Sequence, residues 1–405
     1  MNMRIFFSVG EPSGDLHGAN LIHDLREINP EMECVGYGGP KMAAAGCELH
    51  EDLTKLAVMW VLHVLLNIHR FWLLLRQADQ YLRDNEVDAV VLIDYPGFNW
   101  WIARKAKKYN IPVFYYGAPQ MWGWGSWRVK KMRRLVDHVL CKLPFEATWY
   151  QERDCNATYI GHPYFDEMVR QKIDHSFVNG YERDPRPLVT ILPGSRRQEV
   201  TNNLDTLLAA AQRVGERVGD VRFAIASFNA AQAHMAREAC EKRSLDLDIF
   251  VGRTPELIRL ATCCMACSGS VSLELLYHEK PTVIHYKISW FGWIAQALLR
   301  RVKYITLVNL LYTDNIEAHS RQLFDPDADG AERVPFPEYF TTQVKSENIA
   351  HHIAVWLTDA SQREERVAQL AELKKGFCKP GASQAAAEYI LRELHQPARR
   401  SPLAA

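Results

Sequence analysis

The sequence predicts an α/β protein built from two parallel-sheet domains with a cleft between them and a C-terminal helical tail. Three observations carry this reading. Short apolar runs alternate with helical patterns along most of the chain, the order that builds parallel sheets with helices on both faces. The alternation comes in two series, separated by a polar stretch around His162–Pro187 that ends Asp184-Pro-Arg-Pro187. The chain has 405 residues, 48% hydrophobic and 24% charged, which is ordinary globular composition with length for two or three domains.

In the first series Arg4–Val9 (RIFFSV) is the opening strand and Asp15–Ile28 its helix. Glu33–Tyr37 is a short strand and Leu65–Arg83 a helix. Ala89–Asp94 (AVVLID) is a continuous apolar run, as in a strand covered on both faces. Ile111–Tyr116 and His138–Leu143 repeat the theme. The second series has strands at Leu188–Leu192, Val221–Ile225, Leu247–Val251, Cys263–Cys267 and Thr282–His285, each followed by a helical pattern. Glu347–Leu357, Ser361–Phe377 and Ser383–Leu394 form the helical tail. The resulting domains are 1–175, 186–377 and a tail, 378–405, that packs back on the first domain.

Lys+Arg and Asp+Glu both total 48, so nothing points to nucleic acid as a partner. Nine scattered cysteines argue against a secreted disulfide framework, and no signal peptide is expected at the start. Cys264-Met-Ala-Cys267 has metal-ligand spacing, but it stands alone on an apolar strand and reads as buried thiols. Asp325-Pro-Asp327-Ala-Asp329-Gly330 opens like a calcium loop, yet Phe336 stands where a bidentate Glu is needed. No metal site and no cofactor is expected.

Five motifs carry chemistry. Gly10-Glu-Pro-Ser13-Gly14-Asp15-Leu-His-Gly18 joins the first strand to the first helix, either as a capped turn or as a place where a ligand meets backbone. Asp94 ends a wholly apolar strand, where a charge is costly unless used or paired. It sits where an α/β cleft opens, so it is the general-base candidate, with a helix-capping role as the alternative. Trp122, Trp124 and Arg128 lie in an aromatic loop followed by a basic helix, suited to a ligand with apolar and anionic parts or simply a packed Trp loop. Ser195-Arg196 and Ser268-Gly269-Ser270-Val-Ser272 each follow a strand and open a helix, so their backbone N–H groups are available to an anion. Arg196 adds a bidentate donor and Glu274 an acceptor for a diol such as ribose, and two such turns in one domain point to a nucleotide diphosphate more than to helix caps alone.

Two apolar stretches, Leu56–Leu75 and Ile288–Lys303, carry Trp and Leu beside basic residues. Arg70 would cost at least ~2.5 kcal/mol at mid-bilayer, so these are expected as interfacial or core helices rather than membrane spans.

Taken in order, GEPSGDLHGA (10–19), GGPKMAAAGCE (38–48), LAVM (56–59), IDYPGFN (93–99), the AP-x-x-W-x-W-x-x-x-R loop (118–128), LPFE (143–146), GHP (161–163), LPGSRRQEV (192–200), SGSVSLE (268–274) and NLL (309–311) resemble the lipid-A-disaccharide synthase family. Departures include Gly97 in place of a second acidic residue after Asp94, Val308 before Asn309, and an insertion over roughly Tyr312–Pro335. The resemblance implies a GT-B fold of two Rossmann-like domains, acceptor side first and UDP-sugar side second. It implies an inverting transfer of 2,3-diacylglucosamine from UDP to the 6-hydroxyl of 2,3-diacylglucosamine 1-phosphate, giving UDP and a β-1,6 disaccharide 1-phosphate for lipid A. Asp94 would be the base, with Ser13 and Asp15 shaping the acceptor side. Ser195, Arg196, Ser268, Gly269, Ser270, Ser272, Glu274 and Asn309 would hold UDP. Gly14, Met59, Trp60, Trp122, Trp124 and Arg128 would meet the acceptor or acyl chains. It further implies peripheral attachment to the cytoplasmic face of the bacterial inner membrane, and a homodimer. The alternatives are a GT-B-fold UDP-sugar 2-epimerase and a non-catalytic nucleotide-sugar-binding protein at the membrane.

Overall fold

The computed structural model describes residues 3–57, 68–313, 315–317 and 322–395. The chain divides into two compact units, Met1–Asp166 with Lys379–Ala405, and Glu167–Cys378.

The first unit is a seven-stranded sheet of order β3-β2-β1-β4-β5-β6-β7, parallel throughout. Its strands are β1 (Arg4–Val9), β2 (Glu33–Gly38), β3 (Glu48–Asp52), β4 (Ala89–Ile93), β5 (Val113–Tyr116), β6 (His138–Cys141) and β7 (Ala157–Tyr159). The apolar runs of β1 and β4 pair in register, Val9 beside Ile93, at the centre of the sheet. Chain order reverses direction between these two strands, so the crevice at their carboxyl ends is this sheet's switch point. Ile5, Phe7, Val91 and Ile93 share a core with Ala386, Ala387 and Ile390 of the final helix, Ala382–His395. That helix is tied down at its start by Asp166. The Asp166 carboxylate accepts hydrogen bonds from the backbone N–H of Gly381, Ala382 and Ser383 and from the Ser383 hydroxyl.

The second unit is a six-stranded parallel sheet of order β10-β9-β8-β11-β12-β13. Its strands are β8 (Leu188–Leu192), β9 (Arg222–Ser227), β10 (Asp248–Val251), β11 (Cys263–Ala266), β12 (Thr282–Lys287) and β13 (Glu338–Thr341). Its switch point lies between β8 and β11. Helix Arg197–Val218 covers one face through Val200, Leu204, Leu207 and Ala211, packed with Ile349 and Ile353 of helix Ser346–Thr358.

The unit boundary departs from the expected 1–175. The chain passes into the second unit after Asp166, because helix His175–Tyr181 sets Phe177 and Tyr181 edge-on against Phe250 of β10. Three strands were not anticipated: β3 reads ELHED, and β7 and β13 are only three and four residues long. Cys264 and Cys267 are buried thiols whose ionisation burial pushes up. In the acidic loop, Asp327 accepts hydrogen bonds from Tyr339 and Asn348, so that carboxylate is tied to its own unit.

Candidate active site

At the first unit's switch point the backbone turns sharply after β4. Asp94 and Tyr95 both adopt left-handed conformations, φ 47° and 42°. For non-glycine residues this costs roughly 1–2 kcal/mol each, so the surroundings must enforce it. Asn99 does so. Its side-chain N–H₂ donates to the carbonyls of Asp94 (2.8 Å), Ser8 (3.2 Å) and Ile93 (3.3 Å), while its oxygen accepts from the Ser8 hydroxyl at 2.6 Å. The Tyr115 hydroxyl donates to the Asp94 carbonyl at 2.6 Å. The main chain of Asp94 is thus fixed on two sides and its carboxylate is half-buried. Gly14, in the first turn of helix Pro12–Ile28, faces it: a Cβ there would stand 3.2 Å from Asp94 Oδ2 and 2.9 Å from Val9 Cγ1.

Three residues of this neighbourhood carried no role in the sequence reading. Lys142, just past β6, places Nζ 3.7 Å from Asp94 Oδ1, with the two side chains 17% and 21% exposed. His17 is buried, and burial chiefly, with the Lys142 charge second, lowers its pKa to about 4. His162 is buried as well, and burial followed by Lys142 holds it well below the ordinary histidine range. Both imidazoles are therefore neutral near pH 7. The signal for Lys142 was the one that singled out Asp94, a charge closing an apolar strand. His17 and His162 lay within quoted motifs.

The structure redistributes several expected roles. The Asp15 carboxylate is taken up by backbone groups of its own unit. It is buried, and it accepts from the backbone N–H of Gly39 (2.9 Å), Lys41 (3.0 Å) and Met42 (3.0 Å), capping helix Pro40–Ala44. Ser13 stays exposed in the first turn of its helix. Trp122 is not a surface contact either. It is buried, with its indole N–H donated to Glu146 at 2.9 Å. Glu146 also accepts from the backbone N–H of Lys142 and Leu143. Burial raises the Glu146 pKa, opposed by the charge of Lys142 and these donors. Trp124 remains exposed with the Arg128 guanidinium 4.1 Å from its ring centre, the aromatic–cation pairing the loop suggested. Met59 and Trp60 lie outside the described residues.

In the second unit both expected turns sit at strand ends. Ser195 and Arg196 follow β8, but their backbone N–H groups are not open to an anion. Both donate to the Glu199 carboxylate, at 3.0 and 3.1 Å, because a Glu in the first turn reaches back to cap its own helix. The Arg196 side chain is 80% exposed, 3.3 Å from Glu199. After β11, Gly269 and Ser270 are exposed, with open space where a Gly269 Cβ would be. The Ser268 hydroxyl donates to Ile305 O and that of Ser272 to Gly269 O. Glu274 is buried, and Gln171 donates to it at 3.4 Å. Asn309, expected at the nucleotide, is fully buried and used internally. It donates to Phe336 O and Glu338 and accepts from Phe336 N–H. Glu338 also accepts from the N–H groups of Ile305 and Thr306, and burial raises its pKa to about 7.

Known proteins match this chain over nearly its whole length. The model of the lipid-A-disaccharide synthetase family matches residues 5–322. The lipid-A-disaccharide synthase of Myxococcus xanthus is 31% identical over 399 residues, 98% of each chain. That of Coxiella burnetii is 29% identical, over 96% of this chain and 98% of its own. Among solved structures, UDP-GlcNAc 2-epimerase from Neisseria meningitidis bound to UDP-GlcNAc superposes with TM-score 0.59 at 13% identity, covering 96% of this chain and 100% of that one. The calicheamicin glycosyltransferase superposes with TM-score 0.57 at 14% identity, over 98% and 100%. At such identities the solved structures establish the GT-B fold, which epimerases and transferases share, and the sequence relatives decide between those activities. The chain belongs to the lipid-A-disaccharide synthetase family of glycosyltransferases.

Proposed function

We propose that the protein transfers 2,3-diacylglucosamine from its UDP conjugate to the 6-hydroxyl of 2,3-diacylglucosamine 1-phosphate, with inversion at the anomeric carbon. The observation that carries the mechanism is the Asp94 carboxylate, half-buried at a switch point and held in a strained turn by Asn99 and Tyr115. Asp94 takes the proton of the 6-hydroxyl as its oxygen attacks the anomeric carbon from the face opposite UDP. The bond to the diphosphate oxygen breaks with its electron pair leaving on UDP, so an α-linked donor gives a β-linked disaccharide 1-phosphate. Arg196 and the exposed Gly269–Ser270 turn receive the departing charge. Glu274, near its helix start, serves the ribose hydroxyls. Asn309 acts indirectly, by fixing the backbone around Glu338 and Thr306.

Both substrates carry acyl chains, and the protein's surface suits a lipid interface. Helix Trp290–Leu299 has no buried residue, and Trp290, Phe291 and Leu298 are 64%, 84% and 74% exposed. Trp72 and Leu73 are exposed on helix Ile68–Asp84. Among the described residues no helix is long and apolar enough to cross a membrane. These helices therefore fit peripheral docking on the cytoplasmic face of the inner membrane, with Trp124 and Arg128 at the acceptor.

The test is to incubate purified protein with both acylated sugars and follow products by mass. The expected products are UDP and a disaccharide 1-phosphate, formed only when both substrates are present. Conversion of the UDP-sugar to an isomer without acceptor would establish the epimerase reading instead. Binding with no turnover would reject an enzymatic role.

A further inference from the structure

We propose that Lys142 is a positioning residue for Asp94, aiming and electrostatically securing the base's carboxylate during transfer; this rests on the reading of Asp94 as the base. Lys142 and Asp94 stand at the carboxyl ends of β6 and β4, with β5 between them, so their two side chains and the gap between the charges together bridge two strand spacings, roughly 10 Å. The lysine runs over residue 117, at the end of β5, which is glycine. Gly117 has φ 72°, and a Cβ there would lie 3.2 Å from both Cε and Nζ of Lys142. The lysine thus passes over a position without a side chain and ends 3.7 Å from Asp94 Oδ1.

The other end of Lys142 is anchored too. Its backbone N–H donates to Glu146 at 3.0 Å, and Glu146 is held by the Trp122 indole. Both side chains of the pair are mostly shielded, which limits screening by salt. At 3.7 Å the contact is an ion pair rather than a tight hydrogen bond, so the carboxylate keeps lone pairs for an incoming hydroxyl. The titratable groups around the pair include His17 from the first helix, His162 after β7, and Tyr115 and Tyr116 on β5. Burial disfavours the charged form of all four, and among the described residues Lys142 is the ion-pair partner of the base.

A double-mutant cycle tests this, with wild type, Lys142→Met, Asp94→Asn and the double variant assayed for transfer, melting temperature and UDP affinity. Lys142→Met is expected to lower kcat roughly ten- to hundredfold with KM for both sugars and UDP affinity unchanged within twofold. In the Asp94→Asn background it is expected to cost less than a further twofold, since a residue acting through Asp94 has nothing left to act on. Lys142→Gln serves as a second variant if the Met form melts early. A Lys142→Met enzyme within twofold of wild-type kcat would overturn the proposal. So would a rise in acceptor KM at constant kcat, which would make Lys142 a grip on the acceptor phosphate, or a loss that persists undiminished beside Asp94→Asn. Full activity of Asp94→Asn would remove the base assignment itself, and absence of transfer by the wild type would remove the functional reading.

Discussion

Asn99 carries more hydrogen bonds around the candidate base than any catalytic argument would require, and its consequences are measurable. Replacing it by Ala leaves the carbonyls of Ser8, Ile93 and Asp94 without their amide donor and frees the left-handed turn to relax. We expect Asn99→Ala to cost about 2–3 kcal/mol in denaturant unfolding and to lower kcat at least tenfold. Gly117→Ala should cost about 1–2 kcal/mol for its positive φ and should also lower kcat by displacing Lys142. Unchanged kinetics in a folded Gly117→Ala enzyme would show that the lysine's path is irrelevant. Asp94 was legible in the sequence because a carboxylate closing AVVLI has no apolar explanation. Lys142 closes β6 in the same manner, but its purpose depends on two neighbouring strands that a linear pattern does not place side by side. The internal duties of Asp15, Glu199 and Asn309 were not legible for a related reason. Each is a polar residue at a strand end or helix start, and each satisfies backbone groups rather than a ligand. Residue type and position alone do not separate those uses.

At the scale of elements, the final helix is held by Asp166 and by its apolar face. Asp166→Ala removes a cap and leaves buried N–H groups unpaired, an expected loss of about 1–3 kcal/mol. Hydrogen exchange should quicken in 382–395 and the first-unit strands while the second unit keeps its protection. Uniform quickening across both units would contradict this division. Helix Trp290–Leu299 makes the opposite prediction, since Trp290, Phe291 and Leu298 meet water rather than a core. A Phe291→Ser/Leu298→Ser variant should float with anionic liposomes several-fold less than wild type and keep its melting temperature. Equal flotation would reject the docking surface. The central strands were readable because β1, β4, β8 and β11 are covered on both faces and so nearly wholly apolar. The edge strand β3 and the short β7 were not, because an edge needs little apolar sequence and register comes from its neighbour.

For the whole molecule, titration of buried groups sets a pH dependence with a definite sign. His17, His285 and His352 have folded pKa values of about 4, lowered chiefly by burial, against 6.5 for the free side chain. Between pH 6.5 and 4 the unfolded chain binds protons that the folded chain refuses, so stability falls as pH falls, by roughly 1–2 kcal/mol per histidine at pH 5. Glu338, raised to about 7 from 4.5, works the other way, because the folded form holds a proton over that window. In the first unit Glu146, whose pKa burial also raises, opposes His17 and His162, and in the second Glu338 opposes His285, His352 and His278, the last also lowered to about 4. Urea unfolding should therefore show net destabilisation from pH 7 to pH 5. Greater stability at pH 5 would contradict these burial assignments. The ordered motifs that spread across both units were the most legible feature of all, and family membership at 29–31% identity over 96% or more of the chain agrees with them.

The most direct test of the mechanism is the turnover of Asp94→Asn beside its affinity for UDP. Loss of 10²–10⁴-fold in kcat, with the calorimetric Kd for UDP within twofold of wild type, is the result expected for a base that never touches the nucleotide. Turnover close to wild type would mean that another group takes the proton, and that the fixed carboxylate at the end of β4 serves only the fold.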